Sequence, residues 1–599
     1  MKRWLAALLL AAAGVSGHAQ DAAAPPKVLR YAFPIAETGF DPAAISDLYS
    51  RIVTGHIFEA LYKYDHLARP YKVQPNAALA MPEVSADFKT WTVRIKPGVY
   101  FTDDPAFKGV RRELVAADFA YAWKRFYDPA NKSPSYSIVE EEGVIGVNAL
   151  REEALKTKRA FDYDRAVEGL KLIDRYTLQF RLAKPRPRFV YTLADNTLFG
   201  AVAREVVEFY GANVGDHPVG TGPFRLAAWR RSSLITLERN PRFREALYDA
   251  EPNPDDAEGQ ALLAKYKGRR LPIIDRVEVS IVEETQPRWL AFLNREFDLL
   301  APLPPEFAEK VVPNGKLAPH LAKRGIVLQR IVNPDVTLHY YNMEDPVVGG
   351  YTPDKVALRR AINLAMNVQR EIAQVRRGQA IAAQSMVSPG AFGFDLAYKS
   401  ENSDYSVARA KALLDMYGYV DRDGDGWRDL PDGRPLVIEY ANTPDAIARQ
   451  FAELWKINLS AIGIRLDIKI AKWPEQFKSA RAAQLMVWEL GYSATGPDVQ
   501  ETLQILYGPS AGEQNLARFR NKRFDELYER MQVLPDGPER LAAIHEAQNI
   551  VTAFAPHKYR VHRIYNDLVQ PWVIGYRRPL YGNQFWQYVD IDEARRPAH

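Results

Sequence analysis

Hydrophobic and polar positions along this chain alternate in two rhythms. Trp91-Thr92-Val93-Arg94-Ile95 alternates with period two and stops at Lys96-Pro97-Gly98, which predicts a half-buried strand closed by a turn. Leu29 to Phe33 reads as an opening strand. Leu234 to Arg239, stopped by Asn240-Pro241, reads as another, as do Arg276 to Val282, Leu436 to Tyr440 and Ile464 to Ile470. Between them, apolar residues recur at helical spacing in Val115 to Arg125, Pro287 to Arg295, Val356 to Val368, Ser406 to Met416 and Ala446 to Ile462. Short strands and helices in alternation predict an α/β fold built as mixed lobes. Residues 131–164 and 245–270 break both rhythms and read as surface excursions. No fixed-period repeat and no low-complexity linker stands out.

The first residues change the picture of where the chain works. Lys2 and Arg3 precede an apolar run from Leu5 to Ala13, and Gly17-His18-Ala19 offers a small-residue cleavage site before Gln20. The run is too short to span a bilayer, so residues 1–19 read as a signal peptide cleaved near Ala19/Gln20. No cysteine occurs. Lipid anchoring after a signal sequence, thiol catalysis and Cys-ligated metals are thereby excluded, and a periplasmic, unanchored protein of a two-membrane cell is expected. The 79 basic and 74 acidic residues are interspersed, without the one-sided basic field that nucleic-acid binding requires.

Two motifs hint at chemistry. Gly508-Pro509-Ser510-Ala511-Gly512 fits G-x-S-x-G, the elbow of serine hydrolases. The elbow needs a strand entering and a helix leaving, with a histidine base nearby. Here the approach from Val499 to Tyr507 is helix-like, so a periplasmic hydrolase using Ser510 is the alternative, not the leading reading. Asp421, Asp423 and Asp425 before Gly426 start like a calcium loop, with Asp429 and Asp432 at later ligand positions. Arg428 and the strand that follows depart from that pattern, and an Asx/Gly turn is read first, calcium second. No other metal site and no cofactor is expected. Trp488-Glu489-Leu490-Gly491-Tyr492-Ser493 sets aromatics beside glycine in a way that suits a cleft wall.

Many short matches then fall in order. Gly39-Phe40-Asp41-Pro42 follows the first strand, and Ile57-Phe58-Glu59-Ala60-Leu61 and the stretch from Phe88 to Asp104 come next. Val115-Ala116-Ala117-Asp118-Phe119 leads to Val219-Gly220-Thr221-Gly222-Pro223-Phe224, with Leu237-Glu238-Arg239-Asn240-Pro241 behind it. Leu358 to Ile362, Gly418-Tyr419 and Asn521-x-x-Phe524-Asp525-x-Leu527 complete the series. In these the chain resembles, over about residues 28–590, the family 5 extracellular solute-binding proteins, the oligopeptide, dipeptide and nickel binders of ABC importers.

The resemblance implies a non-enzymatic protein of the two-lobed periplasmic-binding-protein-like fold, type II, with an extra subdomain and a ligand cleft between the lobes. Lobe one is expected at 27–278 plus 490–599, with the subdomain near 65–195, and lobe two at 279–489. The hinges are expected at Val277–Val282 and Met486–Gly491. Hinge closure would trap a peptide or peptide-like solute and present it, in a transient docking, to an inner-membrane ABC permease, the protein acting as a monomer. An opine, sugar or metal chelate is the alternative solute. Relatives bond the ligand's main chain along the second hinge region, which implies roles for Trp488, Glu489, Gly491, Tyr492 and Ser493. They also place an acid where this chain has Thr495, so Asp498 or Glu489 must replace it as partner of a peptide's ammonium, or the ligand lacks a free amine. Glu37, Thr38 and Gly39 are the expected contacts from the opposite lobe.

Overall fold

The computed structural model describes residues 25–597 apart from Thr495 and Asn583; the signal-peptide reading and Thr495 lie outside the described residues. Two sheets organise the chain, each with its own core.

The first begins with β1 (Val28–Phe33), whose alternate residues Leu29, Tyr31 and Phe33 are buried. The chain then forms α1 (Leu48–Ile57), started by Asp47, whose carboxylate accepts from Ser50 N. It next builds a separate antiparallel sheet from β2 (Glu83–Val84), β3 (Thr90–Arg94), β4 (Leu170–Asp174) and β5 (Thr177–Arg181), in the order β2-β3-β5-β4. Trp91 and Val93 of β3 and Leu178 and Phe180 of β5 pack there with Trp123 and Phe126 of α2 (Ala116–Tyr127). The chain returns through β6 (Phe224–Arg230), β7 (Leu234–Arg239) and β8 (Arg276–Ile281) to complete the first sheet in the order β1-β8-β7-β6, with β1 and β8 parallel. The glycines before β6 permit a close approach: Gly222 N donates to Ile57 O at 2.8 Å, and a Cβ on Gly220 would lie 2.1 Å from the same oxygen.

The second sheet runs β9-β16-β11-β15-β13-β14, built from β9 (Leu299–Leu300), β11 (Asp335–Tyr341), β13 (Val437–Asn442), β14 (Arg465–Ile470), β15 (Val487–Ser493) and β16 (His557–Val569). Two further strands, β10 (Val327–Val332) and β12 (Ala380–Ala382), also pair with β16. One face is covered by α3 (Pro353–Ala365) and α4 (Ala446–Ser460) through Leu358, Phe451 and Trp455. The other carries α5 (Trp473–Arg481), α6 (Gln500–Gln504), α7 (Lys522–Val533) and α8 (Pro538–Phe554), through Phe477, Leu503, Leu527 and Ile544.

This architecture corrects the expected second hinge at Met486–Gly491. β15 lies inside the second sheet between β11 and β13, and Val487 and Trp488 are buried on opposite faces, as a central strand requires. The chain after residue 490 stays with that sheet through α6–α8. The strand that reaches from one core to the other is β16: Tyr559 packs beside Val336 and Leu338, whereas Val569 packs with Leu29 and Leu299 of the first core. Trp572, Tyr576 and Trp586 then join that first core.

Candidate functional site

The site is built on the end of β15. On one side β15 pairs with β11 along its whole length, from Val487↔Tyr341 to Ser493↔Asp335. On the other, β13 pairs only with Val487 and Trp488, and no strand of the described residues continues along that edge. The phase of the ladder follows from two bonds, Asn342 N to Met486 O at 3.0 Å and Ala494 N to Pro334 O at 2.8 Å. Hydrogen bonding alternates along an antiparallel pair, so Trp488, Leu490 and Tyr492 turn their main-chain groups toward β11, and Glu489, Gly491 and Ser493 turn theirs away. Gly491 and Ser493 are exposed, and they reach roughly 10 to 17 Å past Trp488 at a strand's rise per residue. No atom lies within 4 Å of where a Gly491 Cβ would sit. The end of β15 is thus an unpaired strand edge at the carboxyl ends of parallel strands, able to accept a further extended chain by main-chain bonds.

Glu489 borders this edge, but its charge is spent inward. Its carboxylate accepts from Arg560 Nη1 and lies 3.4 Å from Tyr440 OH and 3.7 Å from His339 Nε2. Arg560, wholly buried, also donates to both oxygens of the wholly buried Glu371, at 2.7 and 2.9 Å, and sits under the rings of Phe451 and Trp455. Arg376 completes the set through Glu371 at 2.6 Å. Burial alone would raise the Glu489 carboxyl, but Arg560 and the neighbouring cations outweigh it and hold the group well below the usual carboxylate range. Burial, reinforced by Arg560, pushes His339 down to about 4, so its imidazole is neutral at pH 7 and Nε2 accepts from Arg560 at 2.8 Å.

Asp498 is also taken. Its Oδ1 accepts from Arg540 Nη2 at 3.0 Å and from Gln500 N at 2.7 Å, and its Oδ2 pairs as an ion with Arg540 at 2.7 Å and Arg188 Nε at 3.0 Å. Neither Glu489 nor Asp498 therefore stands as the open carboxylate expected for a peptide's ammonium. Trp488, expected in a cleft wall, is 2% exposed and packs edge-on to Tyr340. Tyr492 turns to the same core face and its hydroxyl donates to Gln514 O.

The first-lobe candidates are local braces. Glu37 is buried and accepts from Trp229 Nε1 at 2.6 Å and Ser232 N at 3.0 Å, tying the opening loop to the β6–β7 hairpin. Thr38 donates to Asp47 and, like Gly39, bonds Ser50 through its amide. These bonds all stay within the first lobe. Sequence reasoning missed two points at which the side of the chain that holds the first core approaches the side of the second sheet, the Tyr64 hydroxyl near Gly496 and Arg188 at the end of α7. Tyr64, Tyr71, Tyr191 and Tyr581 form one aromatic group, and a Cβ on Gly496, just past β15, would lie 3.6 Å from the Tyr64 hydroxyl. Arg188, which follows the subdomain sheet in the chain, donates to the carbonyls of Met531, Gln532 and Leu534 at the end of α7. No local pattern in the sequence announces either group.

The motifs set aside from the lead reading both lie in turns. Ser510 lies on a short 3-10 turn after α6, and its hydroxyl donates to the carbonyls of Gln504 and Tyr507, with no strand-to-helix elbow and no histidine in its bonds. Carboxylates of Asp421, Asp423 and Asp429 lie within 4.8 Å of one another. Asp421 accepts from Gly424 N and Gly426 N, as an Asx/Gly turn requires, while Asp425 pairs with Arg465.

The family model for bacterial extracellular solute-binding proteins, family 5, matches residues 72–514. The chain belongs to this family of two-lobed solute-binding proteins. It is 25% identical to di/tripeptide-binding protein 2 of Pseudomonas aeruginosa over 601 residues, covering 98% of both chains. It is likewise 25% identical to the probable deoxycholate-binding periplasmic protein YgiS of Escherichia coli over 605 residues, covering 100% of this chain and 99% of that one. In fold it is similar to the periplasmic binding protein DppA of Helicobacter pylori in complex with the peptide STSA, with a TM-score of 0.67 at 21% identity, covering 94% of this chain and 98% of the other. Among the described residues no helix is long and apolar enough to cross a membrane.

Proposed function

We propose that this chain is an exported, monomeric, non-enzymatic binding subunit of an ABC importer, which captures a short peptide or peptide-like solute in the periplasm and delivers it to an inner-membrane permease. The observation that carries the reading is the unpaired edge at Gly491 and Ser493. An extended ligand would add there as a strand, its main chain bonded and its side chains left largely unread. The lobes, 27–281 with 570–599 and 282–569, would turn about the crossing after β8 and about the middle of β16, and ligand contacts made from both sides would favour the closed arrangement. Titration calorimetry with short peptides tests this: trialanine and other tripeptides should bind, and a panel of di-, tri- and tetrapeptides without measurable heat or thermal shift would refute it.

One observation favours a second reading, a solute without a free amine: arginines already hold both Glu489 and Asp498. N-acetylated tripeptides binding more tightly than free ones would support it, and free-amine peptides binding more tightly would dismiss it.

A further inference from the structure

Beside the aromatic group of the first lobe, a small cavity of about 20 Å³ is lined by Asp65, His66, Tyr71, Asn196, Tyr581 and Gln584, among others. Asp65 and His66 precede the antiparallel sheet β2–β5 in the chain, Asn196 follows it, and Tyr581 and Gln584 belong to the C-terminal segment. Three separate stretches therefore meet at this point. Most polar atoms there are already bonded. Asp65 Oδ1 accepts from the amides of Leu67 and Ala68, both at 2.8 Å, and Oδ2 accepts from Glu251 N at 2.9 Å. The side-chain amides of Asn196 and Gln584 both donate to Gly55 O, and the Tyr71 hydroxyl accepts from Leu580 N at 3.1 Å.

Two acceptors are left over. His66 Nε2 and Asn196 Oδ1 have no hydrogen-bond partner among the described residues. Both residues are deeply buried, His66 at 6% exposure and Asn196 at 0%. His66 bonds the backbone of Gly575, and burial keeps its ring neutral, so the ring's one proton serves that bond and Nε2 is left with its lone pair. The Tyr581 hydroxyl is unpartnered too, but a Cβ on Gly390 would lie 3.4 Å from it, so it is left out of the set. Acceptors buried this deeply are costly unless something donates to them. The neighbouring charges decide what that can be. Arg69, Arg577 and Lys63 all act on His66 as positive charges, which disfavours a metal or ammonium ion, and two lone pairs offer nothing to an anion. The volume suits a single water-sized molecule.

We infer that this cavity is a binding site for one ordered water molecule, which gives one hydrogen to His66 Nε2 and the other to Asn196 Oδ1. The water joins the stretch that leads into the antiparallel sheet to the stretch that leads out of it. The subdomain that reaches α7 through Arg188 is mounted on these two stretches, and the water braces that mounting.

A high-resolution crystal structure of the wild type tests this. One water should lie within roughly 2.6–3.2 Å of both His66 Nε2 and Asn196 Oδ1. A cavity without density, a water bonded to only one of the two atoms, or a peak whose anomalous signal marks an ion would overturn the assignment. Oxygen-17 magnetic relaxation dispersion gives a second reading in solution. His66→Phe keeps a ring to stack on Tyr588 (centroids 4.2 Å apart in the wild type) but presents no lone pair, and it should show one long-lived water fewer. Equal counts in the two proteins would overturn the assignment as well, and the wild-type crystal decides it even where the variant fails to fold.

Discussion

Replacing Arg188 by alanine should open the molecule. Arg188 belongs to the first lobe, next to Phe189 in the subdomain core. Its guanidinium donates to Leu534 O at 2.7 Å and to Met531 O and Gln532 O at 2.8 Å, and Nε lies 3.0 Å from Asp498. The carbonyls belong to the end of α7, where acceptors lack partners within the helix and the dipole favours a cation. A hydrogen bond to a charged group contributes about 1.5–3 kcal/mol net of its exchange with water, and several bonds made by one guanidinium are not additive. Asp498 costs little when the lobes part, because it keeps Arg540 at 2.7 Å. A net loss of about 2–3 kcal/mol from the closed arrangement follows, which moves a closed-to-open equilibrium roughly 30- to 150-fold. The absence of native cysteine makes the assay clean: spin labels at Lys156→Cys and Lys522→Cys, one on each side of the contact, report the distance by pulsed electron resonance. Arg188→Ala should shift ligand-free protein toward the longer distance, and Arg188→Lys, which keeps charge but loses the planar fork, should fall between. Identical distance distributions in all three proteins would refute the reasoning.

Other consequences can be checked separately. Arg560→Leu removes the cation shared by Glu371 and Glu489 and should destabilise the second lobe by about 3–5 kcal/mol in urea unfolding; a loss below about 1 kcal/mol would show that the network holds nothing together. The buried histidines set an acid limit. Burial lowers His339 to about 4, and His66 and His557 to about 3, from an ordinary 6.5. The unfolded chain therefore binds more protons below pH 6.5, so their contribution is complete above 6.5 and is lost as pH falls from there toward 4 and 3. The melting temperature should drop between pH 6.5 and 4, less steeply in His339→Gln; a flat profile over that window would contradict the burial argument. Ser510→Ala should leave peptide binding unaltered, and a peptidase or esterase activity abolished by it would revive the hydrolase alternative.

Much of the fold was legible because its signals are local. The alternation in Trp91 to Ile95, the Val219 to Phe224 glycines and the ordered family motifs each lie within a few residues. The strand that carries the site was legible too, by resemblance, in Trp488 to Ser493. The hinge was not. A buried central strand and a crossing strand show the same apolar run, and β16 hides its nature further by burying Lys558, Arg560, His562 and Asp567 along its length. Those charges are tolerated only because partners meet them, Glu371 from 189 residues away for Arg560 and Arg578 from 11 residues on for Asp567. The same distance effect misled the reading of Glu489 and Asp498: their arginines stand 71 and 42 residues away in sequence, beyond any spacing rule.

The ladder phase allows a direct test of the central claim, amide hydrogen exchange resolved to single residues with and without saturating trialanine. The amides of Gly491 and Ser493, which face the open edge, should slow at least about tenfold when a ligand strand pairs with them, while Tyr492, already bonded to β11, changes little. Unchanged exchange at Gly491 and Ser493 with trialanine bound would contradict strand addition at this edge.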